Sequence, residues 1–305
     1  MAVYTPLDEG QVKAFLRDRH LGDYISHEGI VQGVENTNYR LTTSLGVFIL
    51  TLVEKRTAPE DLPFIFGYTK HLKDAGLHVP DTIEQGTIAG KPAAVIRFLP
   101  GRDITDDAIT PDHCAQVGSV LAWMHNAAEN FTGARKNPVG PDAWQAMFDA
   151  LKGKIDKTLE ATIAGAIAQG ACVDAGDLPR GAVHADLFPD NVFFENGEVS
   201  GVIDFYFACV APYAYDLAIT LNCWAYDREA NERPGCVRAL LEAYESVRPL
   251  EPEEKEKFPA LRRAAALRFL MTRLYDWVFT PEGAQVNKKD YNEYLKKLKI
   301  DFLWP

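Results

Sequence analysis

The chain has 305 residues, 47% of them hydrophobic and 25% charged, with a formal net charge of −11. That is the composition of an ordinary globular protein, long enough to bury a large core and to divide into two lobes. The acidic balance argues against a general nucleic-acid binder, which needs basic groups for phosphate contacts, but it does not exclude ATP, which magnesium and a few local cations can hold.

The opening residues, MAVYTPLDEG, carry no basic region ahead of an apolar core, so no secretory signal is expected. Leu7, Val12, Phe15 and Leu16 fit an amphipathic helix started near Asp8. Residues 25–31, 34–43 and 47–53 read as three antiparallel strands, broken at Gly33 and at Leu45-Gly46. A helix over residues 62–75 is stopped by Gly76 and Pro80. Strands at 82–85 and 93–98, turned near Ala89-Gly90, complete a five-stranded sheet, and Leu99-Pro100-Gly101 ends the pattern.

After Pro111, the spacing of Val117, Val120, Leu121 and Met124 predicts a helix to about His125, a histidine expected to be structural. Two helical patterns over residues 142–169 meet near Gly153, and residues 174–180 read as a loop. Beyond residue 205, Pro212 begins a helix with Ala214, Leu217, Ala218 and Leu221 inward and Asp216 in its first turn, where a helix-dipole role is the simplest reading. A last long helix has Leu267, Leu270, Met271, Leu274 and Val278 as its core stripe. Apolar runs such as residues 205–211 are too short to span a membrane. The five cysteines, Cys114, Cys172, Cys209, Cys223 and Cys236, lack CxxC spacing and read as reduced thiols of a cytoplasmic protein.

The chemistry concentrates in residues 183–205, VHADLFPDNVFFENGEVSGVIDF. His184, Asp186 and Asn191 are spaced H-x-D-x-x-x-x-N, and Asp204-Phe205 follows a strand, a Glu195-Asn196-Gly197 turn and a second strand. An Asp on such a loop accepts the proton of an attacking hydroxyl, while the Asn and the second Asp converge on magnesium bound to phosphates. A buried histidine beside an ordinary Pro-Asp-Asn turn is the bland alternative, and the strand context around the full spacing argues against it.

This segment resembles the catalytic loop and metal-binding hairpin of the aminoglycoside phosphotransferase-like kinases, small-molecule relatives of protein kinases. With Gly33-Val34-Glu35-Asn36-Thr37-Asn38-Tyr39, Phe48-Ile49-Leu50-Thr51-Leu52-Val53-Glu54 and Ile203-Asp204-Phe205-Tyr206-Phe207-Ala208, nearly the whole chain is similar to the homoserine kinases built on that fold. The resemblance implies an α+β, bilobal protein-kinase-like fold. Its small antiparallel β-sheet lobe would cover residues 1–99, with a hinge at about 97–101, and a mainly helical lobe residues 100–305, with ATP and magnesium in the cleft.

The same resemblance implies roles. Asp186 is the expected catalytic base, supported by His184, and Asn191 and Asp204 are the expected magnesium ligands. Asp216 would hold the catalytic loop by accepting backbone N–H bonds. Gly33, Asn36 and Thr37 belong to a loop that either covers the phosphates or is a plain turn, and the backbone near Arg97 and Leu99 would read the adenine edge. Thr51 stands where a phosphate-clamping Lys or Arg is usual, with Lys55 and Arg56 as substitutes or as a solvated strand end.

Tyr206, Arg273 and Asp276 are candidate contacts for a zwitterionic acceptor, although Arg273 and Asp276 could equally form an intrahelical pair. The expected partners are small molecules, ATP and an amino-acid alcohol, with no nucleic acid and no membrane; oligomeric state stays open. The rival readings are a kinase for an aminoglycoside, choline or a methylthio sugar, and a nucleotide-binding module without catalysis.

Overall fold

A computed structural model describes residues 3–31, 36–54, 57–173, 178–280 and 288–305. The chain divides into two compact units, Met1–Pro100 and Gly101–Pro305.

The first unit is a five-stranded antiparallel sheet of β1 (Tyr24–Gly29), β2 (Thr37–Thr43), β3 (Gly46–Leu52), β4 (Thr82–Ile88) and β5 (Lys91–Arg97), in the order β1-β2-β3-β5-β4. Alternation sets its buried face, because side chains of a strand point to opposite sides with period two. Tyr39 and Leu41 of β2 lie opposite Leu50 and Phe48 of β3, and Leu52 and Leu50 lie opposite Ala93 and Val95 of β5. Helix α1 (Glu9–Leu16) packs Val12, Phe15 and Leu16 into the same cluster. A capping box fixes its start, with the Asp8 side chain accepting from Gln11 N and the Gln11 side chain from Asp8 N. Helix α2 (Leu62–Asp74) ends where Gly76 takes a positive φ of 92°.

The β4–β5 turn, Ala89 and Gly90, has φ of 50° and 76°, the left-handed pair that a two-residue hairpin prefers. An N-terminal strap not legible in the sequence lies along β2: the N–H groups of Tyr4 and Thr5 donate to Thr37 Oγ1, and Tyr39 Oη accepts from Leu7 N and donates to Thr5 O.

The second unit contains helices α3 (Pro111–Ala128), α4 (Pro141–Leu151), α5 (Lys157–Gln169), α6 (Tyr213–Trp224), α7 (Cys236–Val247), α8 (Pro252–Phe279) and α9 (Asn292–Lys297). Two small antiparallel pairs accompany them, β6 (Arg180–Val183) with β9 (Cys209–Pro212), and β7 (Val192–Glu195) with β8 (Glu198–Val202). Every residue of α6 is buried. Helix α3 runs against α7 closely enough that a Cβ on Gly118 would meet the Leu240 carbonyl oxygen at 2.4 Å. Leu267, Leu270, Met271 and Leu274 form the buried stripe of α8, while Val278, expected with them, is only half-buried. Helices α7 and α9 add to the elements expected from sequence, although α7 carries a regular stripe in Val237, Leu240, Leu241 and Tyr244.

Candidate active site

The site is built on the loop between β6 and β7. Ala185 takes a left-handed φ of 62°, unusual for a residue with a Cβ, and so needs to be held there. Asp216, in the first turn of α6, does the holding. Its Oδ2 accepts the His184 N–H at 3.0 Å and its Oδ1 the Ala185 N–H at 2.8 Å. Asp216 is fully buried, and burial alone would raise its pKa. The hydrogen bond from His125, with the backbone N–H of Ala185, outweighs that and holds it below the usual carboxylate range.

His125 of α3 sits on the far side of that carboxylate, its Nε2 3.1 Å from Asp216 Oδ2 and its Nδ1 2.7 Å from Tyr244 Oη. Burial lowers its pKa, so the ring is neutral. An ionised carboxylate only accepts; Nε2 therefore carries the proton, and Nδ1 accepts from Tyr244. Tyr244 Oη accepts in turn from Arg248, which pairs with Glu254 at 3.1 Å. Five buried residues thus run from α8 to the loop that carries Asp186.

His184 supports the loop in the same neutral way, burial lowering its pKa. Its Nε2 donates to the Ile203 carbonyl at 2.9 Å and its Nδ1 accepts the Asp186 N–H at 3.2 Å. The ring packs on Phe205, centroids 4.5 Å apart. One histidine therefore spans the loop that carries Asp186 and the strand end that carries Asp204.

Asp186 keeps 16% of its side chain exposed. Burial raises its pKa, opposed first by the charge of Arg268. Asn191 closes the turn, donating Nδ2 to the Asp186 carbonyl at 2.8 Å and lying 3.4 Å from Asp186 Oδ2. That leaves the amide oxygen of Asn191 as its group for a metal. Asn191 O accepts the Ile203 N–H at 2.9 Å, so Asp204, next in sequence, is tied to the same turn. Asp204 has φ 66° and ψ 63° and caps the short turn Phe205–Phe207. One amide oxygen and one carboxylate, completed by phosphate and water, are the kind of ligand set magnesium takes. Among the described residues no three His, Cys, Asp or Glu side chains form a metal cage of their own.

In the first unit, Asn36 and Thr37 are buried, and their side chains are engaged there. Asn36 Oδ1 accepts the Glu54 N–H at 3.1 Å, and Thr37 Oγ1 donates to Glu54 Oε1 at 2.7 Å. The Thr37 hydroxyl proton is therefore not directed at a phosphate. Lys91 pairs with Glu54; burial would raise that carboxyl, and Lys91 with the Thr37 and Thr5 hydroxyls brings it below its usual value. Thr51 is 2% exposed and donates to Asn38 Oδ1 at 2.7 Å, so that position of β3 offers no cation. Arg97 is exposed and pairs with Asp81 at 3.2 Å, and Leu99 follows β5 half-buried. Gly33, Lys55 and Arg56 lie outside the described residues.

Among the acceptor candidates, the carboxylate beside Arg273 is Glu293 of α9, at 2.6 Å, where the sequence had pointed to Asp276. An additional bond to the Asp290 carbonyl, at 3.0 Å, fixes Arg273 toward α9. Asp276 is half-buried on α8, and Tyr206 is half-buried with its carbonyl accepting from Arg135 at 2.7 Å. The sequence reading omitted Arg268, whose side chain is 2% exposed and 3.6 Å from Asp186 Oδ1. Its place one residue after the Leu267 core position hid it: an arginine there reads as a helix flank.

A sequence profile of the APH phosphotransferase enzyme family matches residues 26–250. A homoserine kinase of Gluconacetobacter diazotrophicus is 47% identical over 98% of this chain and 96% of its own. Among solved structures, an amicoumacin kinase in complex with AMP-PNP and Ca2+ superposes with a TM-score of 0.69, covering 91% of this chain and 89% of its own at 15% identity. A choline kinase from Cryptosporidium parvum does so at 0.68, covering 95% of each chain at 14% identity. At those identities the structural likeness concerns the fold.

Proposed function

The chain belongs to the APH phosphotransferase enzyme family, and from that premise we propose that it transfers the γ-phosphoryl group of ATP to the side-chain hydroxyl of L-homoserine, giving O-phospho-L-homoserine and ADP. The observation that carries the choice of acceptor is the 47% identity to a homoserine kinase along 98% of the chain. In the reaction, a bond forms between the homoserine oxygen and the γ-phosphorus while the bond to the β,γ-bridging oxygen breaks, and ADP leaves with that electron pair. Asp186 takes the hydroxyl proton. Little covalent work falls to the protein in such a transfer, so holding Asp186 in place is its main contribution.

His184 is neutral with both ring nitrogens committed, and it positions without exchanging protons. Asn191 and Asp204 are the residues to hold magnesium, which when bound neutralises charge on the transferring phosphate. Backbone groups near Arg97 and Leu99 serve the adenine, and Gly33 and Lys55 the phosphates. Arg273, now seen beside Glu293, together with Tyr206 and Asp276, serves the acceptor. Four cysteines, Cys114, Cys209, Cys223 and Cys236, are buried free thiols, which suits a reducing, cytoplasmic setting. Phosphorus NMR of a reaction with ATP, magnesium and L-homoserine tests the reading. A phosphate-monoester signal that appears only with homoserine supports it, and ADP formation without such an ester refutes it.

A further inference from the structure

Arg268 projects from α8 into the catalytic loop, 1% exposed as a residue. Its Nη1 donates to the Ala185 carbonyl, its Nη2 lies 3.6 Å from Asp186 Oδ1, and its Nε is buried with no hydrogen-bond partner among the described residues. The guanidinium is held between two rings, 5.0 Å from the centroid of Phe207 and 4.4 Å from that of Phe269. A desolvated cation that leaves one of its donors unused is a poor device for stability alone. Its location suggests another purpose.

The peptide between Ala185 and Asp186 is gripped from both sides. Its N–H, that of Asp186, donates to His184 Nδ1, and its carbonyl, that of Ala185, accepts from Arg268, while Asp216 takes the N–H of the left-handed Ala185 one peptide earlier. The contact to the Asp186 carboxylate is of a different kind: 3.6 Å is close enough to attract but longer than a hydrogen bond. It fixes the direction of the carboxylate while Oδ1 keeps its lone pairs for an incoming hydroxyl proton. We propose that Arg268 is a positioning residue of phosphoryl transfer, which from α8 locks the Ala185–Asp186 peptide and aims the Asp186 carboxylate at the acceptor hydroxyl. The proposal rests on the reading of Asp186 as the base that serves an alcohol. Lysine cannot replace it fully, because a single ammonium has no planar fork to bridge a carbonyl and a carboxylate while stacked between two rings.

The test uses the full chain with Arg268→Met, Arg268→Lys and Arg268→Ala, assayed by ADP release with ATP and magnesium. Wild type is first run on L-homoserine and on a panel of other alcohols. Turnover of a different alcohol refutes the homoserine reading alone, and the variants are then compared on that alcohol. The expected result is a loss of about a hundredfold in kcat for Arg268→Met, the scale of a slightly misplaced catalytic group, with KM for ATP near wild type. Arg268→Lys should lie between the two, and methylguanidinium added to Arg268→Ala should recover part of the lost kcat. A merely structural arginine would give a lower thermal midpoint with kcat of the folded fraction intact, and that outcome overturns the proposal. So does a fall in ATP affinity equal to the fall in kcat, or an absence of methylguanidinium rescue. If Arg268→Met does not fold, Arg268→Lys decides on the same criteria, a wild-type kcat counting against the proposal.

Discussion

Replacing Asp216 by Ala isolates the contribution of one buried carboxylate to the shape of the loop that carries Asp186. Three donors point at it: the N–H groups of His184 and Ala185, at 3.0 and 2.8 Å, and Nε2 of His125, at 3.1 Å. All three lie in the interior, and a buried donor left without an acceptor costs about 1–3 kcal/mol. Water entering the vacated space would satisfy one of them and leave two, so the expected loss is at least about 2 kcal/mol. For a unit of roughly 200 residues that corresponds to at least about 4–8 °C in thermal midpoint. Activity should fall further than stability, because Ala185 keeps its left-handed conformation through those bonds and Asp186 follows it directly. The assay pairs differential scanning fluorimetry with ADP release at a temperature well below both midpoints. A midpoint within about 2 °C of wild type together with unchanged kcat would refute the view that Asp216 organises the loop.

Asp186→Asn should lower kcat by about a hundred- to ten-thousandfold with ATP affinity preserved, measured by steady-state ADP release. Asp204→Ala should abolish turnover and remove the magnesium-dependent part of the thermal shift given by ATP; a magnesium-dependent shift that persists would move the metal site elsewhere. Gly118→Val should destabilise by about 1–3 kcal/mol in urea unfolding, since its side chain meets backbone of α7 that has no room to yield. The buried neutral His125 makes stability depend on pH. Its folded pKa is depressed below the unfolded value of about 6.5, so the unfolded chain binds the extra proton, and stability is full above that pH and declines as pH falls below it. His125→Gln should flatten that decline by up to about 1.4 kcal/mol per pH unit in urea titrations, and an unchanged slope would show that His125 is not neutral in the fold.

Local rules explain what could be read ahead of the structure. The strand alternation of residues 37–52, the Ala89-Gly90 turn and the Asp8 cap are properties of a few neighbouring residues, and the sheet and first helix follow from them. The H-x-D-x-x-x-x-N spacing is equally local: Asn191 bonds the Asp186 carbonyl within one turn. The contacts that escaped reading join residues far apart. His125 meets Tyr244 across 119 positions, and Arg268 meets Ala185 across 83. In a helix pattern a buried arginine next to a core position looks like a solvated flank, and only the packing of α8 on the loop distinguishes the two. Arg273 shows the same limit, since the helical spacing offered Asp276 while the tertiary fold brought Glu293 to 2.6 Å. The strap of residues 4–7 depends on Thr37 and Tyr39, which no periodicity connects to it.

The central claim, that this phosphotransferase serves a small zwitterionic alcohol, is tested most directly by kcat/KM for L-homoserine, choline and kanamycin under identical ATP and magnesium. A site built to pair both charges of an amino acid should prefer homoserine by roughly 10⁴, because the wrong acceptor leaves a buried charge without a partner. Comparable values for the three, or a preference for choline or kanamycin, would contradict it.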